Sequence, residues 1–182
     1  MSRFEDCLGY ILRFEGGYSN HPADRGGATN KGITQGTFDA YNEGLGRDTK
    51  SVESITDSEV QAIYLERFWN PCRCGDLHNP LDLVVFDSAV QHGVSRAAKW
   101  LQREVGVATD GVIGNATLFA VNQEALKHGL AELVERYMWV REEFYAAIIA
   151  RDPSQEVFAN GWKNRMLELE KAIAKTPKIT GV

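Results

Sequence analysis

The hydrophobic pattern of this chain has a helical period almost throughout. Phe4, Leu8 and Ile11 recur at helical spacing, and Glu15 falls on the same face one turn later. The spacing therefore predicts a first helix that ends on a carboxylate, with Gly16 and Gly17 stopping it. A short helical stretch with Phe38 and Tyr41 follows over 35–44, and the polar residues 43–54 read as a connector. Thr56 and Glu59 form a capping box that opens a helix through Val60, Ile63, Tyr64 and Phe68, closed by Asn70-Pro71. Asn79-Pro80 reads as an N-cap with proline at the first helical position, and Leu81 to Val90 is apolar nearly all round, a buried central helix.

Gln91-His92-Gly93 ends that helix, with His92 read as a helix-end histidine, and Ser95 caps the next one over 96–105. Leu130, Leu133, Val134, Tyr137, Met138, Arg141, Phe144, Tyr145 and Ile148 describe a long amphipathic helix, broken at Asp152-Pro153. The last helix carries Phe158, Trp162, Arg165, Met166, Leu169 and Ile173 on one face, and a frayed tail is expected over 176–182. No strand-like alternation of useful length appears. The predicted class is all-α, with roughly seven or eight helices and a short β-hairpin in the glycine-rich run behind Glu15 as its only candidate sheet.

Composition narrows this only a little. With 182 residues, 43% hydrophobic and 25% charged, the chain is sized for one core or a core with a small lobe. A net charge of -5 argues against a nucleic-acid partner bound by broad phosphate neutralisation. The start, Met1 to Cys7, is acidic and has no long apolar region, so neither a signal peptide nor a transmembrane anchor is expected. Three cysteines do not make a disulfide framework, so reduced thiols are expected. Cys72, Cys74 and His78 lack an evident fourth zinc ligand, and neither a metal nor a cofactor is expected.

Chemistry enters at Glu15. Burial beside an apolar stripe and the negative end of a helix both favour a neutral carboxylic acid, which can hand a proton to a leaving group. Behind it, Asp24-Arg25-Gly26-Gly27-Ala28-Thr29-Asn30-Lys31-Gly32-Ile33-Thr34 puts acid, hydroxyl and amide groups on a loosened backbone. The order and spacing of Glu15, Asp24 and Thr29 resemble the Glu, Asp, Thr arrangement of phage-type lysozymes. Glu-Gly-Gly-Tyr followed by Asp-x-Gly-Gly-Ala-Thr-Asn-x-Gly-Ile-Thr is more specifically similar to the motif of the glycoside hydrolase 108 family, phage endolysins and related bacterial muramidases. Asp110-Gly111-Val112-Ile113-Gly114-Asn115-Ala116-Thr117 resembles the signature of peptidoglycan-binding modules, and reads equally well as a tight turn feeding a capped helix.

The resemblance implies a lysozyme-like fold, with a catalytic segment over 1–92 and a peptidoglycan-binding-like segment over 93–175 packed on it as one globule. It implies Glu15, Asp24 and Thr29 as catalytic residues, contacts to sugar from Tyr18, Asn30, Asp87 and Gln91, and support from Trp162 and Arg165. Family members commonly carry asparagine near Gln91. From the residues alone, Asp87 on the Leu83, Phe86, Val90 face is either a hydrogen-bonded anchor or a substrate contact. Arg165 on an apolar face must meet a carboxylate or carbonyls, and Glu15 and Asp87 stand out. Phage-type lysozymes place an arginine from a late helix beside the catalytic Glu, which ranks Glu15 first and Asp87 second.

The implied activity is hydrolysis of the β-1,4 bond between N-acetylmuramic acid and N-acetylglucosamine, with a lytic transglycosylase and a non-catalytic cell-wall binding module as alternatives. The implied setting is a monomeric phage lysis protein. It would wait in the host cytoplasm for a holin to open the membrane, then act on peptidoglycan in the periplasm.

Overall fold

The computed structural model describes residues 2–20 and 27–175, so Asp24 and the tail over 176–182 lie outside the described residues. The chain forms two compact units, one up to Arg67 and one from Phe68.

In the first unit, α1 (Arg3–Ile11) opens on a capping box in which the Glu5 amide donates to Ser2 Oγ at 3.3 Å and the Ser2 amide donates to Glu5 Oε2 at 2.6 Å. It buries Cys7, Leu8, Tyr10 and Ile11, and it stops a full turn before Glu15. Beyond Leu12 the chain tightens to i to i+3 bonding, Arg13 N to Tyr10 O at 3.2 Å and Phe14 N to Ile11 O at 3.0 Å. Glu15 thus follows the helix rather than ending it, a correction to the predicted boundary.

The expected hairpin is present: β1 (Thr29–Asn30) pairs antiparallel with β2 (Ile33–Thr34) across the two-residue turn Lys31-Gly32. Both turn residues have positive φ, 49° and 75°, the pattern of a type I′ turn that matches strand twist. Thr34 then caps α2 (Gln35–Gly44), its hydroxyl accepting from the Thr37 amide at 3.2 Å. After a 3-10 turn at Val52–Ser54 comes α3 (Asp57–Tyr64), with the predicted Thr56 and Glu59 capping box in place. α1 packs on α3, and Leu8, Ile11, Val60, Ile63 and Tyr64 are buried.

The second unit is built on α4 (Leu81–His92), in which every residue from Leu81 to Ala89 is buried. Around it lie α5 (Val94–Glu104) and α7 (Leu130–Arg151), with α6 (Asn115–His128) against α7. Pro80 occupies the cap position of α4 rather than its first turn, and α5 begins at Val94 behind Gly93 rather than after Ser95. A 3-10 segment, Pro153–Phe158, leads into α8 (Ala159–Ala174). Cys7, Cys72 and Cys74 are all buried thiols that form no disulfide. Among the described residues the fold is mainly helical with a single two-stranded sheet, which is lysozyme-like.

Candidate active site

The motif behind Glu15 builds a small platform, and most of its residues are used in holding it. Ser19 and Thr29 exchange backbone hydrogen bonds, each 2.8 Å, which ties the strand leaving Glu15 to the hairpin. Asn30 is buried and donates through Nδ2 to the carbonyls of Val52 and Glu53, both at 3.2 Å. Its amide nitrogen therefore anchors the hairpin, a different use from the sugar contact expected of it. Thr29 is half-buried and its hydroxyl donates to Gly27 O at 3.2 Å. Tyr18 is exposed at 41%, placed where a ligand can reach it.

Gly32 explains why this turn needs glycine. A Cβ there would lie 2.5 Å from the Tyr64 hydroxyl, 2.7 Å from Glu15 Oε2 and 3.0 Å from Glu15 Cδ. The half-buried Glu15 carboxyl lies against the bare Cα of the turn. Lys31, beside it, pairs through its ammonium with Asp57 at the start of α3, and that cation holds the Asp57 carboxyl below the usual carboxylate range.

In the second unit the buried acid Asp87 is an anchor. Arg165 grips it with a fork, Nη2 to Oδ1 at 2.8 Å and Nε to Oδ1 at 3.0 Å, and Arg141 Nη1 reaches Oδ2 at 2.5 Å. Asp87 and Arg141 are both 0% exposed, so of the two readings of Asp87 the structure displays the hydrogen-bonded anchor. Burial pushes the Asp87 carboxyl up, and Arg141 and Arg165 outweigh it, leaving the group below its ordinary value. Arg165 thus pairs with Asp87, the partner ranked second for it.

The network continues outward. Arg141 Nε donates to the Tyr145 hydroxyl at 3.2 Å, and that hydroxyl lies 3.1 Å from His92 Nε2. Trp162 stacks on the Tyr145 ring at 4.8 Å and 12°. Gln91 is exposed at the end of α4. In sequence Arg141 reads only as a member of an amphipathic stripe, yet an arginine at apolar spacing is the same signal that singles out Arg165.

Burial, with Arg141 and Arg96 nearby, lowers the His92 pKa from 6.5 to about 3. The folded protein therefore keeps this ring neutral where the unfolded chain would protonate it. Stability present above pH ~6.5 should be lost as pH falls toward ~3, with Asp87 extending the loss below its unfolded value. Melting temperatures measured from pH 7 down to pH 4 should decline, and His92→Gln should flatten that decline.

The segment over 110–117 resolves into a clasp. Gln102, 1% exposed, donates through Nε2 to Asp110 Oδ1 at 2.6 Å and to Val112 O at 3.0 Å, and its Oε1 accepts from the Gly111 amide at 2.9 Å. Asp110 also accepts from the Val112 amide at 2.9 Å, and Thr117 packs its buried hydroxyl 3.3 Å from Gln102 Nε2. These bonds build the tight turn expected ahead of α6. Gln102→Leu should cost roughly 2–4 kcal/mol in a denaturant titration, because several buried groups lose their partner together.

A helical body with one hairpin, and a carboxyl seated on that hairpin's turn, defines a lysozyme-like hydrolase framework. The model of the glycosyl hydrolase 108 family matches residues 8–93, and that of a predicted peptidoglycan domain matches residues 96–167. A solved structure, SagA from Brucella abortus, is similar over 96% of this chain and 97% of its own, with 33% identity and a TM-score of 0.72. No curated protein matches. The chain belongs to the glycosyl hydrolase 108 family. It is a glycoside hydrolase whose substrate is peptidoglycan.

Proposed function

We propose that the enzyme is an N-acetylmuramidase that cleaves the β-1,4 bond between N-acetylmuramic acid and N-acetylglucosamine, with Glu15 as general acid. The observation that carries this is the Glu15 carboxyl seated against the bare Cα of Gly32, in a turn held by backbone and side-chain bonds. A general acid must be held in one place within reach of the glycosidic oxygen. Protonation of that oxygen lets the bond break as an oxocarbenium-like state develops, and Asp24 with Thr29 stabilises that state or positions water. Tyr18, exposed a few residues beyond Glu15, supplies a surface for sugar. The catalytic segment spans 1–92, with the peptidoglycan-binding-like segment over 93–175.

The family resemblance supports the setting of a phage endolysin. In that reading the protein waits as a monomer in the host cytoplasm, a holin opens the membrane, and peptidoglycan is cut from the periplasmic side. Mass spectrometry of digested sacculi tests the chemistry. Muropeptides ending in reducing N-acetylmuramic acid are expected. Reducing N-acetylglucosamine ends would move the cut to the other bond, and anhydro-muramyl ends would replace hydrolysis by transglycosylation.

A further inference from the structure

Tyr64 is buried to 1% exposure at the end of α3, where a phenylalanine would fill the same apolar space. What the tyrosine adds is its hydroxyl, which donates to the Lys31 carbonyl at 3.0 Å. Lys31 is held at two further points, its amide donating to Gly16 O at 3.1 Å and its ammonium pairing with Asp57. Gly16 directly follows Glu15. The turn that Tyr64 grips is therefore bonded to the backbone that carries the acid.

The same hydroxyl also borders the space in which the acid sits. The position a Cβ of residue 32 would take is 2.5 Å from the Tyr64 hydroxyl and 2.7 Å from Glu15 Oε2, so both groups crowd one face of Gly32. Each strand of the hairpin has only two residues, too few to fix its place alone. Asn30 ties one side to Val52 and Glu53, and Tyr64 ties the turn.

We propose that Tyr64 is a positioning residue for catalysis: its hydroxyl locks the Lys31-Gly32 turn so that the open face of Gly32 holds the Glu15 carboxyl in one orientation. This rests on Glu15 being the general acid. Without the hydroxyl the Lys31 carbonyl loses its donor and the turn can drift. A misplacement of about 1 Å at a catalytic group costs on the order of 10²-fold in rate.

The test uses the whole protein and initial rates over a range of sacculus concentrations. Tyr64→Phe keeps the ring and should lower kcat by roughly 10- to 100-fold, with KM changed by less than about twofold and the melting temperature nearly constant. Gly32→Ala should push the carboxyl and the Tyr64 hydroxyl apart and strain the turn at its positive φ, so that kcat and the melting temperature fall together. In a Glu15→Gln background, Tyr64→Phe should cause no further loss, since the group it positions can no longer act.

Wild-type kcat in Tyr64→Phe overturns the proposal, as does a loss matched by melting at the assay temperature or an equal loss in the Glu15→Gln background. A Glu15→Gln protein that lyses normally removes the acid and this proposal together. That outcome is distinct from the failure of the proposal alone, in which Glu15→Gln is inactive and Tyr64→Phe is fully active.

Discussion

Glu15→Gln is expected to fold like the wild type and to lose lysis by ~10²- to 10⁴-fold. The amide matches the carboxyl in size, so it can rest on Gly32 in the same place, and the half-buried site makes no packing demand that glutamine fails. What it lacks is a transferable proton. General acid catalysis supplies a multiplicative share of the rate, so the loss is gross. The measurement pairs a turbidity assay on purified peptidoglycan with a thermal melt. Clearing above about a tenth of the wild-type rate, in a protein that melts normally, would remove Glu15 from the mechanism.

Asp87→Asn carries the largest expected cost in stability. The wild-type carboxylate neutralises two guanidinium groups at once, Arg141 at 0% and Arg165 at 7% exposure, in an interior where neither can lose its proton. An asparagine offers one acceptor oxygen where there were two, and its amide nitrogen turns a donor toward a donor. Removing one partner of a buried ion pair typically costs ~3–5 kcal/mol. For a protein of this size that corresponds to roughly 6–20 °C in melting temperature. A melting temperature within a degree or two of wild type would show that the guanidinium groups find other acceptors.

Much of the fold is legible in spacing, and the mismatches have physical causes. The Thr56 and Glu59 box and the continuous apolar run behind Asn79-Pro80 are local signals, and α3 and α4 stand where those signals put them. α1 ends four residues short of Glu15, because the stripe through Leu8 and Ile11 continues in register through a 3-10 turn that is not helix. The π-helical turn at Leu65–Trp69 leaves no mark on hydrophobic period.

The hairpin that carries the site is legible as glycine-rich sequence, but the reason for each residue is not. Asn30 serves carbonyls more than twenty positions away, Gly32 makes room for Glu15 and Tyr64, and Tyr64 arrives from a helix thirty-three positions on. Such demands come from distant chain segments, and a local window holds no trace of them. The pattern around Asp87 shows that this acid needs a partner, but the choice between anchor and ligand contact turns on burial that only coordinates supply.

The three buried thiols carry one more consequence. Since Cys7, Cys72 and Cys74 form no cross-link, none of the folding free energy is tied to the redox potential of the surroundings. The described fold has no covalent bridge for a reductant to cut, so its melting temperature should be the same with and without a thiol reductant.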